Sequence, residues 1–119
     1  MKIAISATGT DLSAGVDQRF GRAAFFLIYD LETDVSKFVK NTQALNSPSG
    51  AGIQAAQNVL NNAAEAILTG HCGPKAFQAF QGAGIPVYVG VSGSLQDAIS
   101  DFKAGKLQTA ATPDVEGHW

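Results

Sequence analysis

Apolar positions gather in short alternating or continuous blocks up to about residue 41, then recur at three- and four-residue spacing in segments separated by further short apolar blocks. This pattern predicts strands first, then helices interleaved with strands. Lys2 to Ala7 reads as a first strand, with Ile3 and Ile5 on one side, Ala4 and Ser6 on the other, and Thr8-Gly9-Thr10 ending it. Ala24 to Leu31 is a nearly continuous apolar run, as expected of a strand covered on both faces. Glu32-Thr33-Asp34 turns the chain into Val35 to Asn41, where Lys37 and Lys40 interrupt Val35, Phe38 and Val39 in the manner of a charge-blunted edge strand.

Ile53, Ala56, Val59, Leu60 and Ala63 then fall on one helical stripe and predict a helix from about Gly52 to Ala63. Glu65 to Gly70 returns to strand. His71-Cys72-Gly73-Pro74 opens a second helix, because a first turn does not use the N–H that proline lacks. Ala76, Phe77 and Phe80 form its buried side, and Gly82-Ala83-Gly84 ends it. Pro86 to Gly90 is a fifth strand. Ser94-Leu95-Gln96-Asp97 resembles a capping box with Asp in place of Glu and opens a last helix, core-facing through Leu95, Ala98, Ile99 and Phe102 and stopped by Gly105. Thr109 to Trp119 shows no periodicity and reads as a loose tail with His118 and Trp119 exposed, leaving residues 1–108 as one domain.

The order β-β-β-α-β-α-β-α predicts an α/β fold whose five-stranded mixed sheet runs 3-2-1-4-5, with strand 2 antiparallel and three helices. Chain travel switches direction beside strand 1, and open α/β sheets bind ligands in the crevice at such a point. The loops 8–23 and 70–74 flank it. At the same edge begin the three helices, each offering unpaired backbone N–H groups and about half a unit of positive partial charge.

The loop from Thr8 to Ala23 is long for a simple connection and is expected to order when a ligand arrives. It carries Arg19 and Arg22 around Phe20-Gly21, and planar guanidinium forks of this kind seek an anion. The candidate anion contacts are therefore Arg19, Phe20, Gly21, Arg22, Gly50, Gly52, Gly70, Gly73, Ser92 and Gly93. Plainer readings stand beside these: glycines as turn formers, Arg22 paired with Asp17 or Asp11, and Phe20 as an anchor into the core.

Composition narrows the field. The chain has 119 residues, 45% of them hydrophobic, enough for one core. A net charge of -2 with 8 Lys and Arg gives no field to hold a nucleic acid. No apolar stretch approaches the ~20 residues of a membrane span and no signal-peptide pattern follows Met1-Lys2, so the expected compartment is the cytoplasm. The single cysteine, Cys72, excludes an internal disulfide and a four-thiolate cluster cage. Placed in the first turn of a helix, its thiolate would be favoured by the helix dipole, with His71 as a second candidate metal ligand; the alternative is a small buried residue.

Taken together, four segments are specific: Met1-Lys2-Ile3-Ala4-Ile5; Asp17-x-Arg19-Phe20-Gly21-Arg22-Ala23; Gly50-Ala51-Gly52-Ile53-Gln54-Ala55-Ala56; and Thr69-Gly70-x-x-Gly73-Pro74-x-Ala76-Phe77. This combination, spread over nearly the whole chain, resembles the dinitrogenase iron-molybdenum cofactor biosynthesis family. The resemblance implies a ribonuclease-H-like architecture and a non-enzymatic carrier or scaffold for an anionic molybdenum-containing metal-sulfide cluster. In one branch that cluster is a mixed molybdenum-copper sulfide, the alternative being an iron-molybdenum-type cluster or its precursor. Protein partners in cluster assembly or transfer are implied as well.

Such a cluster can be held through its sulfides by N–H donors alone, whereas copper(I) would turn to the thiolate of Cys72. The competing class is an enzyme on the same architecture. A nuclease or phosphotransferase needs carboxylates that hold two metals ~4 Å apart, and the ends of strands 1 and 4 supply none. A cysteine redox enzyme needs a resolving thiol, and the chain has no second cysteine.

Overall fold

The small-large alternation of β1 (Lys2–Ala7) sets the layering of the molecule, because Ala4 faces one core while Ile3 and Ile5 face another on the opposite side of the sheet. The structure, a computed structural model, describes residues 1–41 and 51–110. Five strands, β1, β2 (Phe25–Asp30), β3 (Val35–Lys40), β4 (Ala66–Leu68) and β5 (Val87–Tyr88), form one sheet in the order β3-β2-β1-β4-β5. β2 is antiparallel to β1, from Lys2 opposite Asp30 to Ala7 opposite Phe25, and antiparallel to β3. β4 lies parallel to both β1 and β5. The strand order, the directions and, among the described residues, the three helices agree with the sequence pattern.

Two helices cover one face. α1 (Ala51–Asn61) and α2 (Pro74–Gly82) enclose Ala4, Phe26, Ile28 and Ile67 with Ala55, Val59, Phe77 and Phe80. α3 (Leu95–Lys103) covers the other face, setting Leu95, Ala98 and Ile99 against Ile3, Ile5, Leu27 and Leu68. The predicted cap of α3 forms: the Ser94 hydroxyl accepts from the Asp97 N–H at 3.1 Å. β3 is an edge strand with Val35, Ser36, Lys37 and Lys40 exposed.

Boundaries differ from expectation at several places. α1 ends at Asn61, short of Ala63, which is exposed at φ +64°, and Ile53 of its expected buried stripe is 43% exposed. β4 and β5 are shorter than predicted, because the chain leaves the ladder before Gly70 and Gly90 to build turns. α2 starts at Pro74 with Gly73 as its N-cap, so Cys72 precedes the helix rather than lying in its first turn. Thr109 and Ala110, assigned to the tail from sequence, pair with the open edge of β5, where Ala110 N–H donates to Val87 O at 2.9 Å.

The hairpin turn after β2 is tied to the end of α3 on the far side of the sheet from the helix starts. The Tyr29 hydroxyl donates to Asp34 Oδ1, and Lys103 Nζ lies 3.3 Å from the same oxygen and 5.6 Å from the Tyr29 ring centre. The donated hydroxyl, and then the ammonium, hold the Asp34 carboxyl below its ordinary value. A depressed folded-state value contributes stability that is present above the unfolded value of about 4 and lost as pH falls through the folded one. Urea unfolding should therefore show Asp34→Asn less stable than the parent at neutral pH, with the gap closing below about pH 4. Asn suits the site, since residue 34 has φ +57°. A gap constant down to pH 2 would mean that the carboxylate charge contributes nothing.

Candidate functional site

Polar residues at the ends of apolar strands are the foundation of the site. Ser6, at the end of β1, and Thr69, just after β4, are both fully buried, and their hydroxyls lie 2.8 Å apart. Ser6 Oγ donates to Asp17 O at 2.7 Å, so the Thr69 hydroxyl must be the donor to Ser6. Asp17 N–H returns a bond to Ser6 O at 2.8 Å, which fastens the loop 8–23 directly over the carboxyl ends of β1 and β4. The Asp17 carboxylate then accepts from Arg19 N–H at 3.0 Å and lies 3.9 Å from Arg19 Nε. Asp17, considered from sequence as a partner for Arg22, thus stands beside Arg19.

One residue further, the loop runs parallel to the segment between β4 and α2. His71 N–H donates to Gln18 O at 2.8 Å and Phe20 N–H donates to His71 O at 3.1 Å, leaving the Arg19 side chain 52% exposed between them. The third loop joins through Val16 N–H to Gly93 O at 2.9 Å and Leu95 N–H to Ala14 O at 2.9 Å. The three predicted loops do meet at one edge. The arginine loop, expected to order on ligand binding, is already bonded to β1, to the β4–α2 turn and to the β5–α3 turn.

Individual residues divide into surface and scaffold. Arg19 and Ser92 are exposed, Arg22 and His71 are partly buried, and Gly93 is an exposed turn residue at φ +84°, a backbone region that favours glycine. Phe20 is 1% exposed, with its ring 5.0 Å from that of Phe26 and 5.3 Å from that of Phe80. It anchors the loop in the core and presents no wall to a ligand. Gly21 is buried, and its carbonyl accepts from the Asn41 side chain at 3.3 Å. Gly52 lies in the first turn of α1 against Ala76 of α2. Gly50 lies outside the described residues.

Gly70 has a steric role. A Cβ there would sit 2.4 Å from Gln18 Oε1 and 2.7 Å from Gln18 Cα, so glycine is what lets the arginine loop close onto β4. Cys72, read from sequence either as a first-turn thiolate or as a small buried residue, has 0% exposure and packs in the core with Phe20, Phe77 and Phe80. The reason is the shifted helix start: with Gly73 as N-cap, the preceding side chain turns inward beneath the helix. Among the described residues no three His, Cys, Asp or Glu side chains gather as a metal-holding group.

The donors at this edge are consequently guanidinium and backbone N–H groups. Gly73, the N-cap of α2, has no side chain with which to cap the positive end of that helix. α3 is capped by Ser94 and carries Asp97 in its first turn, which makes its start the poorer anion partner. The arrangement suits a bulky anion that accepts several weak hydrogen bonds. Sequence reasoning missed Gln18 and the Ser6–Thr69 pair; the only signal for the pair was a hydroxyl in otherwise apolar strand ends, and Gln18 gave none.

A family model described as dinitrogenase iron-molybdenum cofactor matches residues 1–105. An uncharacterized protein of Methanocaldococcus jannaschii is 34% identical over 111 residues, covering 91% of this chain and 90% of that one. Among solved structures, the apo form of the orange protein from Desulfovibrio gigas superposes with a TM-score of 0.93 at 41% identity, covering 96% of each chain. A putative NifB protein from Thermotoga superposes at 0.81 with 34% identity, covering 96% of this chain and 98% of that one.

Proposed function

The chain belongs to the dinitrogenase iron-molybdenum cofactor family, and from that premise we propose that it is a non-enzymatic carrier of an anionic molybdenum-containing metal-sulfide cluster. The observation that carries the proposal is the pairing of the Arg19 backbone with His71, two residues before the Gly73 N-cap of α2, while the Arg19 side chain stays half exposed. A thiometallate is large, soft and negatively charged, and its sulfides accept hydrogen bonds from such donors without a protein-metal bond. The mixed molybdenum-copper sulfide implied by the sequence resemblance is the form we propose, with the ribonuclease-H-like sheet edge as its seat. Proteins that assemble or receive the cluster would approach the same edge. No described helix is long and apolar enough to cross a membrane.

The buried sulfur gives this reading a sharp test. Anaerobic loading with tetrathiomolybdate and copper(I) should yield protein that carries molybdenum, copper and sulfide through gel filtration, with a charge-transfer band in the visible. Cys72→Ser should keep the same metal ratio and band while losing ~1–3 kcal/mol of stability, because a hydroxyl replaces the thiol in an apolar core. Metals that fail to co-elute with the parent protein would overturn the carrier role. Selective loss of copper in the variant would instead put the thiol among the ligands.

A further inference from the structure

Gln18 occupies a position between three loops that neither the family motif nor the proposed cluster contacts assign. Its side-chain amide donates to Val91 O at 3.1 Å, with Val16 O at 3.5 Å, which joins the arginine loop to the β5–α3 turn. Two carbonyls at that end fix the amide orientation, since only the NH2 group can donate to them. The oxygen end lies over Gly70, at the spot where no Cβ fits. Its main-chain oxygen accepts from His71 N–H at 2.8 Å, so this one residue touches the β4–α2 turn and the β5–α3 turn at once. The next residue in the chain is Arg19.

We propose that Gln18 is a positioning residue: it clamps the arginine loop between the other two loops and so sets where the Arg19 guanidinium meets the cluster. The proposal rests on the carrier reading above. The Asp17 carboxylate bonds within the arginine loop itself, to Arg19, whereas the Gln18 amide crosses to the β5–α3 turn. Gln18 is itself exposed and lies outside both hydrophobic cores. Removing its donor therefore perturbs the loop without opening the fold.

A double-mutant cycle separates positioning from direct contact and from general stability. The probe is the molybdenum-copper sulfide formed from tetrathiomolybdate and copper(I), and the readout is its release rate into chelator, followed in the visible. Gln18→Met keeps the side-chain length and loses the donor; it should release the cluster roughly two- to tenfold faster than the parent, the worth of one neutral hydrogen bond. In an Arg19→Ala background the same substitution should change the rate by less than about twofold, because the group it positions is gone.

Thermal midpoints of the two single variants control for stability, and Gln18→Ala serves if the methionine proves too bulky over Gly70. Equal acceleration in both backgrounds would show Gln18 acting independently of Arg19 and would overturn the proposal, as would no acceleration in the parent. Arg19→Ala alone releasing the cluster at the parent rate would sink the carrier reading first. The positioning role would fall with it.

Discussion

Replacing Gly70 by alanine should cost ~1–3 kcal/mol of stability and strip most of the cluster retention, although the side chain added is a single methyl. The new carbon would stand 2.7 Å from Gln18 Cα, which is backbone, and so cannot be relieved by a rotamer change. Either β4 shifts away from β1 or the loop lifts from the His71 ladder, and Arg19 leaves the start of α2 in the second case. Gly52→Ala is the matched control, because a Cβ there meets Ala76 N at 3.5 Å and Ala76 Cβ at 3.6 Å, both ordinary contacts. Urea unfolding and loaded molybdenum per chain measure the two effects. If Gly70→Ala unfolds and loads like the parent, the close approach of loop to strand is not what holds the arginine in place.

Arg19→Ala with Arg22→Ala should weaken cluster retention by about a hundredfold or more, if each guanidinium supplies one charge-assisted bond of ~1.5–3 kcal/mol. The fold should survive the Arg19 change with little loss, since its ion pair with Asp17 is long and half-exposed, a class worth ~0–1 kcal/mol. Lysine at both sites should restore only part of the affinity, because the charge returns without the planar fork. Release should quicken with added salt in the parent and less so in the double variant, as exposed charge attraction is screened. Equilibrium dialysis against thiomolybdate reads the effect directly. Unchanged molybdenum content would remove both arginines from the site.

Strand order, strand direction and most core-facing helix positions were legible because each rests on periodicity that a single sequence displays, whereas Ile53 and Ala63, expected on the buried stripe of α1, are exposed. Ile3 and Ile5 against Ala4, and Lys37 and Lys40 on an edge strand, are examples. The meeting of the arginine loop with the β4–α2 and β5–α3 turns followed from topology. What stayed hidden depends on atomic approach across the fold. Gly70, read as an anion-cradling or turn-forming glycine, gives space to Gln18. Cys72 looked like a first-turn thiol, and a helix start displaced to Pro74 sends its sulfur into the core. Phe20 carried both meanings in sequence, and only its packing between Phe26 and Phe80 decides for the anchor.

That anchor ties the loop to the fate of the whole molecule. Lifting the segment around Arg19 far enough to disperse its donors requires withdrawing an aromatic ring from between Phe26 and Phe80. Such an event opens the same core that holds α2 on the sheet. Full opening of the loop is therefore coupled to that core, unlike the opening that surface loops normally show. Small shifts of the loop about this ring leave the core closed, while its full release goes with opening of the core. If the protein is the carrier proposed above, cargo would meet a loop already anchored, with little conformational entropy left to surrender.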